Sequence, residues 1–147
     1  MNRSAVTQKY SEKFTATIHE VPKIKEFVEK TLKDWFVREE DLQDIVLASD
    51  EAATNIVMHA YNGENKQENT LKIMIKKKGN LIEIDMEDTG LTFDIRTLPK
   101  PDIQLNLKGQ KRGGFGVFLM KTLMDKINYK RKKDCNVTVL LKKINDG

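Results

Sequence analysis

Cysteine is almost absent from these 147 residues. Cys135 stands alone, so the chain can close no internal disulfide and build no cysteine-based zinc site, and a reducing cytoplasm is its natural compartment. Long apolar runs are missing too: none exceeds four residues, too short for a membrane span or a secretory signal. Charge of one sign is also scarce, because 26 basic and 22 acidic side chains leave only +4. That excess helps to attract ATP or an acidic protein and is too small to imply nucleic acid. The runs Lys76-Lys77-Lys78 and Lys130-Arg131-Lys132-Lys133 carry no interleaved aromatics on which bases could stack, and they read as solvated strand ends. What is present, 39% hydrophobic and 33% charged residues, is the composition of a soluble globular protein. A single domain over 1–147 is expected, large enough to bury roughly two-thirds of its unfolded surface.

Phe14 to Ile18 alternates and predicts a first strand, ended where Pro22 opens a helix that runs to about Phe36. Ile24, Phe27, Val28, Leu32, Trp35 and Phe36 give this helix an apolar face. A second helix is expected from about Glu39 to Tyr61, burying Leu42, Ile45, Val46, Ala52, Ala53, Ile56, Val57 and Ala60 and stopped by Asn62-Gly63. Leu71 to Lys77 and Leu81 to Met86 alternate on either side of Gly79-Asn80, a two-residue hairpin signal. Periodicity lapses from Thr89 to Arg112, an irregular stretch of a length that is usually a functional cover or disordered. Helical spacing returns from Phe115 to Ile127 through Phe118, Leu119, Leu123 and Ile127, and short strands near 127–132 and 136–143 close the chain. This order predicts a two-layer α/β sandwich with helices on one face of a mostly antiparallel mixed sheet.

Glu51, Asn55 and His59 recur at intervals of four, so a helix stacks them on one face, polar where a packed helix should be apolar. The Glu51 carboxylate can take a proton from a hydroxyl or water, and the Asn55 amide oxygen is a hard ligand suited to Mg²⁺. The plainer reading, an ion pair of Glu51 along its own helix, finds only Leu47 and Asn55 four residues away. His59 can orient a neighbour or touch a nucleotide, and a hydrogen-bonded structural histidine is the simpler role. With only His19 elsewhere, no zinc set is available. Asp88-Thr89-Gly90 is either a plain turn or an adenine reader in which Asp88 accepts from the base amino group and Gly90 admits close backbone approach. An aspartic-protease reading of that triplet would need a homodimer to complete its dyad, and nothing else in the chain supports it. Gly113-Gly114-Phe115-Gly116 precedes a periodic helix, so its N–H groups and the helix dipole can face a phosphate, with Lys111 and Arg112 just upstream. A hinge needs one glycine rather than three in four residues, and the spacing is not that of a P-loop.

Taken in order, Glu51-Ala52-Ala53-Thr54-Asn55, Asp88-Thr89-Gly90 and Gly113-Gly114-Phe115-Gly116 resemble the N, G1 and G2 boxes of the ATPase superfamily shared by gyrase, heat-shock chaperones, histidine kinases and mismatch-repair proteins. The His-Ala-Tyr ending at Tyr61 and the stretch from Gly116 to Asp125 look most like the bacterial anti-sigma-factor serine/threonine kinases. The resemblance implies a Bergerat-type fold using ATP and Mg²⁺. In it Glu51 is the general base, Asn55 holds the metal, Asp88 and Gly90 lie at adenine, Gly113, Gly114, Phe115 and Gly116 cradle phosphates, and 89–112 forms an ATP lid. It further implies a STAS-type anti-sigma antagonist as phosphoacceptor, a sigma factor as competing ligand, and a homodimer. Thr92 stands where the superfamily commonly has the last glycine of its G1 box, a departure frequent in the anti-sigma branch. Thr138, in the last strand, matches a threonine that relatives place near adenine. Two other functions remain open on the residues: a non-catalytic, ATP-sensitive sigma-binding module, and the catalytic half of a histidine kinase with His19 in a faint phosphoacceptor box.

Overall fold

The computed structural model describes residues 8–98 and 115–145, the second segment with its side chains from Phe118 onward. The elements are β1 (Gln8–Thr15), α1 (Val21–Asp34), α2 (Glu39–Ala60), β2 (Thr70–Lys78), β3 (Leu81–Asp88), α3 (Phe115–Leu123), β4 (Lys126–Lys132) and β5 (Cys135–Lys143), with single 3₁₀ turns at Ile18–Glu20 and Ile95–Thr97. The strands form one sheet in the order β1-β2-β3-β5-β4. Every pairing is antiparallel, so the mixed character expected from the sequence is absent among the described residues.

One sheet face carries the core. Leu71, Ile73 and Ile75 of β2, Ile82, Ile84 and Met86 of β3, and Leu140 of β5 are fully buried. They meet Ile24, Val28 and Leu32 of α1 and the broad apolar side of α2 from Leu42 to Ala60. Burial of this kind is worth about 25 cal/mol per Å² of apolar surface, which is why period-2 strands and period-3.6 helices settle into two layers. The β2–β3 hairpin turns at Gly79-Asn80, where Gly79 alone has a positive φ of 60°, the pattern of a type II′ turn.

Four local expectations are corrected. The first strand is not 14–18 but Gln8–Thr15, because pairing with β2 sets its extent rather than apolar alternation. Ala16 N leaves the ladder to donate to Asn69 O, and Ile18 lies in the 3₁₀ turn. The last helix stops at Leu123 rather than Ile127. Lys142 Nζ donates to Leu123 O at 2.7 Å, Asp125 N joins Leu141 O, and Ile127 belongs to β4. Met120 in that helix and Met124 just after it are the buried contacts, whereas Phe118 is exposed.

Phe36, expected in the core, is 90% exposed. It sits at φ 59° immediately after α1, where Val37 N reaches back to Leu32 O, a helix-ending geometry that favours glycine. Phe36→Gly is expected to stabilise the chain. Relief of about 1–2 kcal/mol of left-handed strain outweighs about 0.5–1 kcal/mol of added backbone entropy. A higher urea midpoint at unchanged slope checks this.

The other sheet face bears a cross-strand charge cluster. Lys76 Nζ lies 3.3 Å from Glu83 Oε2 and 3.1 Å from Asp85 Oδ2, and Lys78 Nζ lies 3.1 Å from Glu83 Oε1. Burial, then the neighbouring Glu83, lifts Asp85 from 3.8 to about 6. Burial opposes ionisation of Glu83 too, but hydrogen bonds with Asp85, Lys78 and Lys76 take it from 4.5 to about 2. The stabilisation from Asp85 is therefore complete below 3.8 and lost as pH rises through about 6, whereas that from Glu83 is complete above 4.5 and lost as pH falls toward 2. Asp85→Asn should remove the decline between pH 4 and 6 and raise stability at pH 7 by on the order of 1 kcal/mol. Denaturant melts at pH 4, 5.5 and 7 check this.

Candidate functional site

The site is built where α2 meets the end of β3. Glu39, Glu40 and Asp41 in the first turn of α2 complement its dipole, and at its end Asn62 and Gly63 take φ values of 54° and 68° as Gly63 N caps Val57 O. Because the opposite side of this helix is committed to the core, Glu51, Asn55 and His59 share the remaining face. Glu51 and Asn55 are half-buried and His59 is exposed. The Glu51 carboxylate has no hydrogen bond or ion pair among the described residues, so the ion-pair reading falls. Burial, and then the Asp50 charge, holds its pKa above the ordinary 4.5. Asn55 Nδ2 donates to Glu51 O at 2.8 Å, which spends the amide's donor end on the helix and leaves Oδ1 as the acceptor. His59 stacks on Phe93, with centroids 4.9 Å apart and planes at 20°, rather than acting as a hydrogen-bonded structural histidine.

Asp88 closes β3 and is 1% exposed. Its Oδ1 accepts from Gly90 N at 2.9 Å and from Asn136 Nδ2 at 2.8 Å, while Oδ2 is buried without a partner among the described residues. Burial raises its pKa against the lowering effect of those hydrogen bonds and of Arg131. Thr138, on β5 and facing the same way, is fully buried with Oγ1 also unpartnered. Ser49, Asn69 and Asp85 hold unpaired polar atoms too, but only Asp88 and Thr138 lie on neighbouring strands of the helix-facing sheet side. An acceptor beside a hydroxyl, both buried and unused, fits a planar ligand edge that offers a donor next to an acceptor, as the amino and ring nitrogens of adenine do.

Gly90 allows the strand end to dock on the helix. A Cβ there would lie 2.4 Å from Ala60 O and 2.8 Å from Ala60 C. Leu91 N donates to Ala60 O at 2.8 Å, and Tyr61 Oη accepts from Thr89 N at 2.8 Å while donating to Thr70 O at 2.6 Å. The N-box face and the Asp88 turn are thereby one continuous surface. Beyond it, residues 91–98 are held by Phe93 N to Asn136 Oδ1, by the fully buried Ile95, and by Lys121 Nζ on Arg96 O. Of the segment expected as an ATP lid, 99–112 lies outside the described residues, as do Lys111, Arg112, Gly113 and Gly114 of the expected phosphate loop. Phe115 and Gly116 open α3, which packs on α2.

Tyr61 and Asn136 escaped sequence reasoning. Asn136 left one signal, a polar residue set among core-facing positions of β5.

The sequence pattern of the histidine kinase-like ATPase domain family matches residues 14–142. The serine-protein kinase RsbW of Listeria monocytogenes serovar 1/2a is 32% identical over 111 residues, which cover 73% of this chain and 69% of that protein. RsbW of Bacillus velezensis is 33% identical over 112 residues, covering 74% and 68%. A similar fold, at 14% identity, occurs in the RsbU and RsbW domains of Rv1364c from Mycobacterium tuberculosis, with a TM-score of 0.65 over 94% of this chain and 32% of that one. It recurs in the SiaB-SiaC complex from Pseudomonas aeruginosa, with a TM-score of 0.60 over 97% of this chain and 91% of its counterpart, again at 14% identity.

Proposed function

This chain belongs to the histidine kinase-like ATPase domain family, and from that premise we propose that it is an ATP-dependent serine/threonine kinase and anti-sigma factor of a partner-switching pathway. It phosphorylates a STAS-type anti-sigma antagonist and captures a sigma factor when that antagonist is unavailable. It acts as a homodimer in the cytoplasm, and no helix among the described residues is long and apolar enough to cross a membrane.

The observation that carries the nucleotide site is the pair of unpartnered buried atoms, Asp88 Oδ2 and Thr138 Oγ1. Asp88 accepts from the adenine amino group, Thr138 donates to the neighbouring ring nitrogen, and Gly90 lets the backbone approach the base. Amides of Gly113 and Gly114, with those of Phe115 and Gly116 where α3 opens, receive the phosphates, and Lys111 and Arg112 neutralise charge on the transferring group. His59, held on Phe93, borders the nucleotide. Asn55 Oδ1 would hold Mg²⁺, which would supply neutralisation of phosphate charge. In transfer, the acceptor hydroxyl oxygen bonds to the γ-phosphorus as the bond to the β–γ bridging oxygen breaks. The hydroxyl proton passes to Glu51, and ADP leaves.

The Glu51 carboxylate, without a partner among the described residues and held above its ordinary pKa, favours this enzyme over a module that only binds. The histidine-kinase reading is disfavoured because His19 sits in a three-residue 3₁₀ turn, followed by α1 packed on the core instead of a long helical hairpin. Incubating the purified chain with Mg-ATP and a STAS-type antagonist should give a phosphoserine or phosphothreonine on the antagonist. ATP binding without transfer would leave the sequestering module, and phospho-His19 would revive the histidine kinase.

A further inference from the structure

Asn136 is fully buried and every hydrogen-bonding valence of its amide is occupied. Nδ2 donates to Asp88 Oδ1 and to Leu91 O, each at 2.8 Å. Oδ1 accepts from Phe93 N at 3.2 Å and from Tyr129 Oη. Two donors and two lone pairs are all that an amide has, and flipping it would set oxygen against two oxygens, so the orientation is unambiguous. Asp88 Oδ1, shared between Asn136 and Gly90 N, is thus fully engaged, and the carboxylate keeps one free atom, Oδ2. The same amide grips Leu91 and Phe93, and the Phe93 ring lies on His59, one turn beyond Asn55 on α2.

Resting on the reading of Asp88 as the adenine acceptor, we propose that Asn136 is a positioning residue that sets base specificity. By locking the Asp88 rotamer it offers the base a lone acceptor, which welcomes the 6-amino group of adenine and repels the 6-oxo group of guanine. Through Leu91 and Phe93 it joins that selection to the His59 side of the catalytic helix. Tyr129 steadies the amide from β4.

Calorimetric titrations of the full chain with ATP and with GTP test this, in wild type, Asn136→Ala and Tyr129→Phe, with thermal melts to establish folding. Asn136→Ala should weaken ATP by about 30-fold and GTP by less than about 3-fold, so that the preference for ATP falls by about 10-fold or more. In turnover assays the loss should fall on KM for ATP rather than on kcat. Tyr129→Phe, which removes one hydrogen bond and no volume from the core, should shift the ratio the same way by about 3-fold and decides the matter if the alanine variant does not fold. A merely structural asparagine would weaken both nucleotides equally, and an unchanged ATP-to-GTP ratio in folded variants overturns the proposal. If wild type itself binds no ATP, the reading of Asp88 falls and this inference with it. If wild type binds and the variants discriminate as before, only the role of Asn136 falls.

Discussion

Glu51→Gln should slow phosphoryl transfer to the antagonist by about 10²–10⁴-fold while ATP affinity stays within about 3-fold of wild type. Gln has the same shape and fills the same half-buried position, so packing along α2 survives. Only the capacity to take the acceptor's proton is removed. The environment sharpens the expectation, since burial and the Asp50 charge hold Glu51 above 4.5, closer to working pH, where a general base is more effective. As pH falls through this raised pKa the carboxylate protonates and the rate declines. That acid limb should lie above the position set by an unperturbed glutamate and should vanish in the Gln variant. Single-turnover transfer measured from pH 4.5 to 8 checks both points. Unchanged transfer removes Glu51 from the mechanism.

Gly90→Ala should abolish nucleotide binding and cost about 3 kcal/mol of stability. Its Cβ would sit 2.4 Å from a backbone oxygen that no rotamer change can move. The end of β3 must then lift from α2, weakening the bonds of Leu91 N to Ala60 O, Thr89 N to Tyr61 Oη and Gly90 N to Asp88 Oδ1. Loss of the last leaves Asp88 Oδ1 held by Asn136 alone, on a strand end that has shifted from the helix. Gly79→Ala is the control, because its Cβ meets nothing within 4 Å and only its φ of 60° is strained. It should cost about 1 kcal/mol and leave ATP affinity intact. Equal effects of the two substitutions would show that the contact with Ala60 does not hold the site together.

Much of the frame was legible because it is written in local periodicity and turn chemistry. The helix expected from about Glu39 to Tyr61 reads from its apolar side and the Asn62-Gly63 stop, and it ends at Ala60. The β2–β3 hairpin reads from alternation around Gly79. The errors fall where tertiary contacts decide. β1 is an edge strand of mostly exposed residues whose ladder with β2, rather than its own pattern, defines it. Leu123 ends α3 because Lys142, on a strand 19 residues later, caps its carbonyl. Phe36 carries an apolar side chain into a geometry suited to glycine, so periodicity placed it inside.

The candidate site was legible through the order of its motifs. Glu51 and Asn55 share a face by spacing alone, and Asp88 and Gly90 lie at a strand end. The buried partners that orient them were not legible. Asn136 lies 48 residues from Asp88, and only the β3–β5 register brings the two side chains together. Tyr61 bonds to Thr70 O and Thr89 N, links that no sequence interval announces.

A crystal structure of the chain with Mg²⁺ and a non-hydrolysable ATP analogue tests the account most directly. The adenine amino group should lie about 3 Å from Asp88 Oδ2, with Thr138 Oγ1 engaged by the same ring and the γ-phosphate within reach of the Glu51 face. A nucleotide bound elsewhere, or a base that leaves Asp88 Oδ2 and Thr138 Oγ1 untouched, would contradict it.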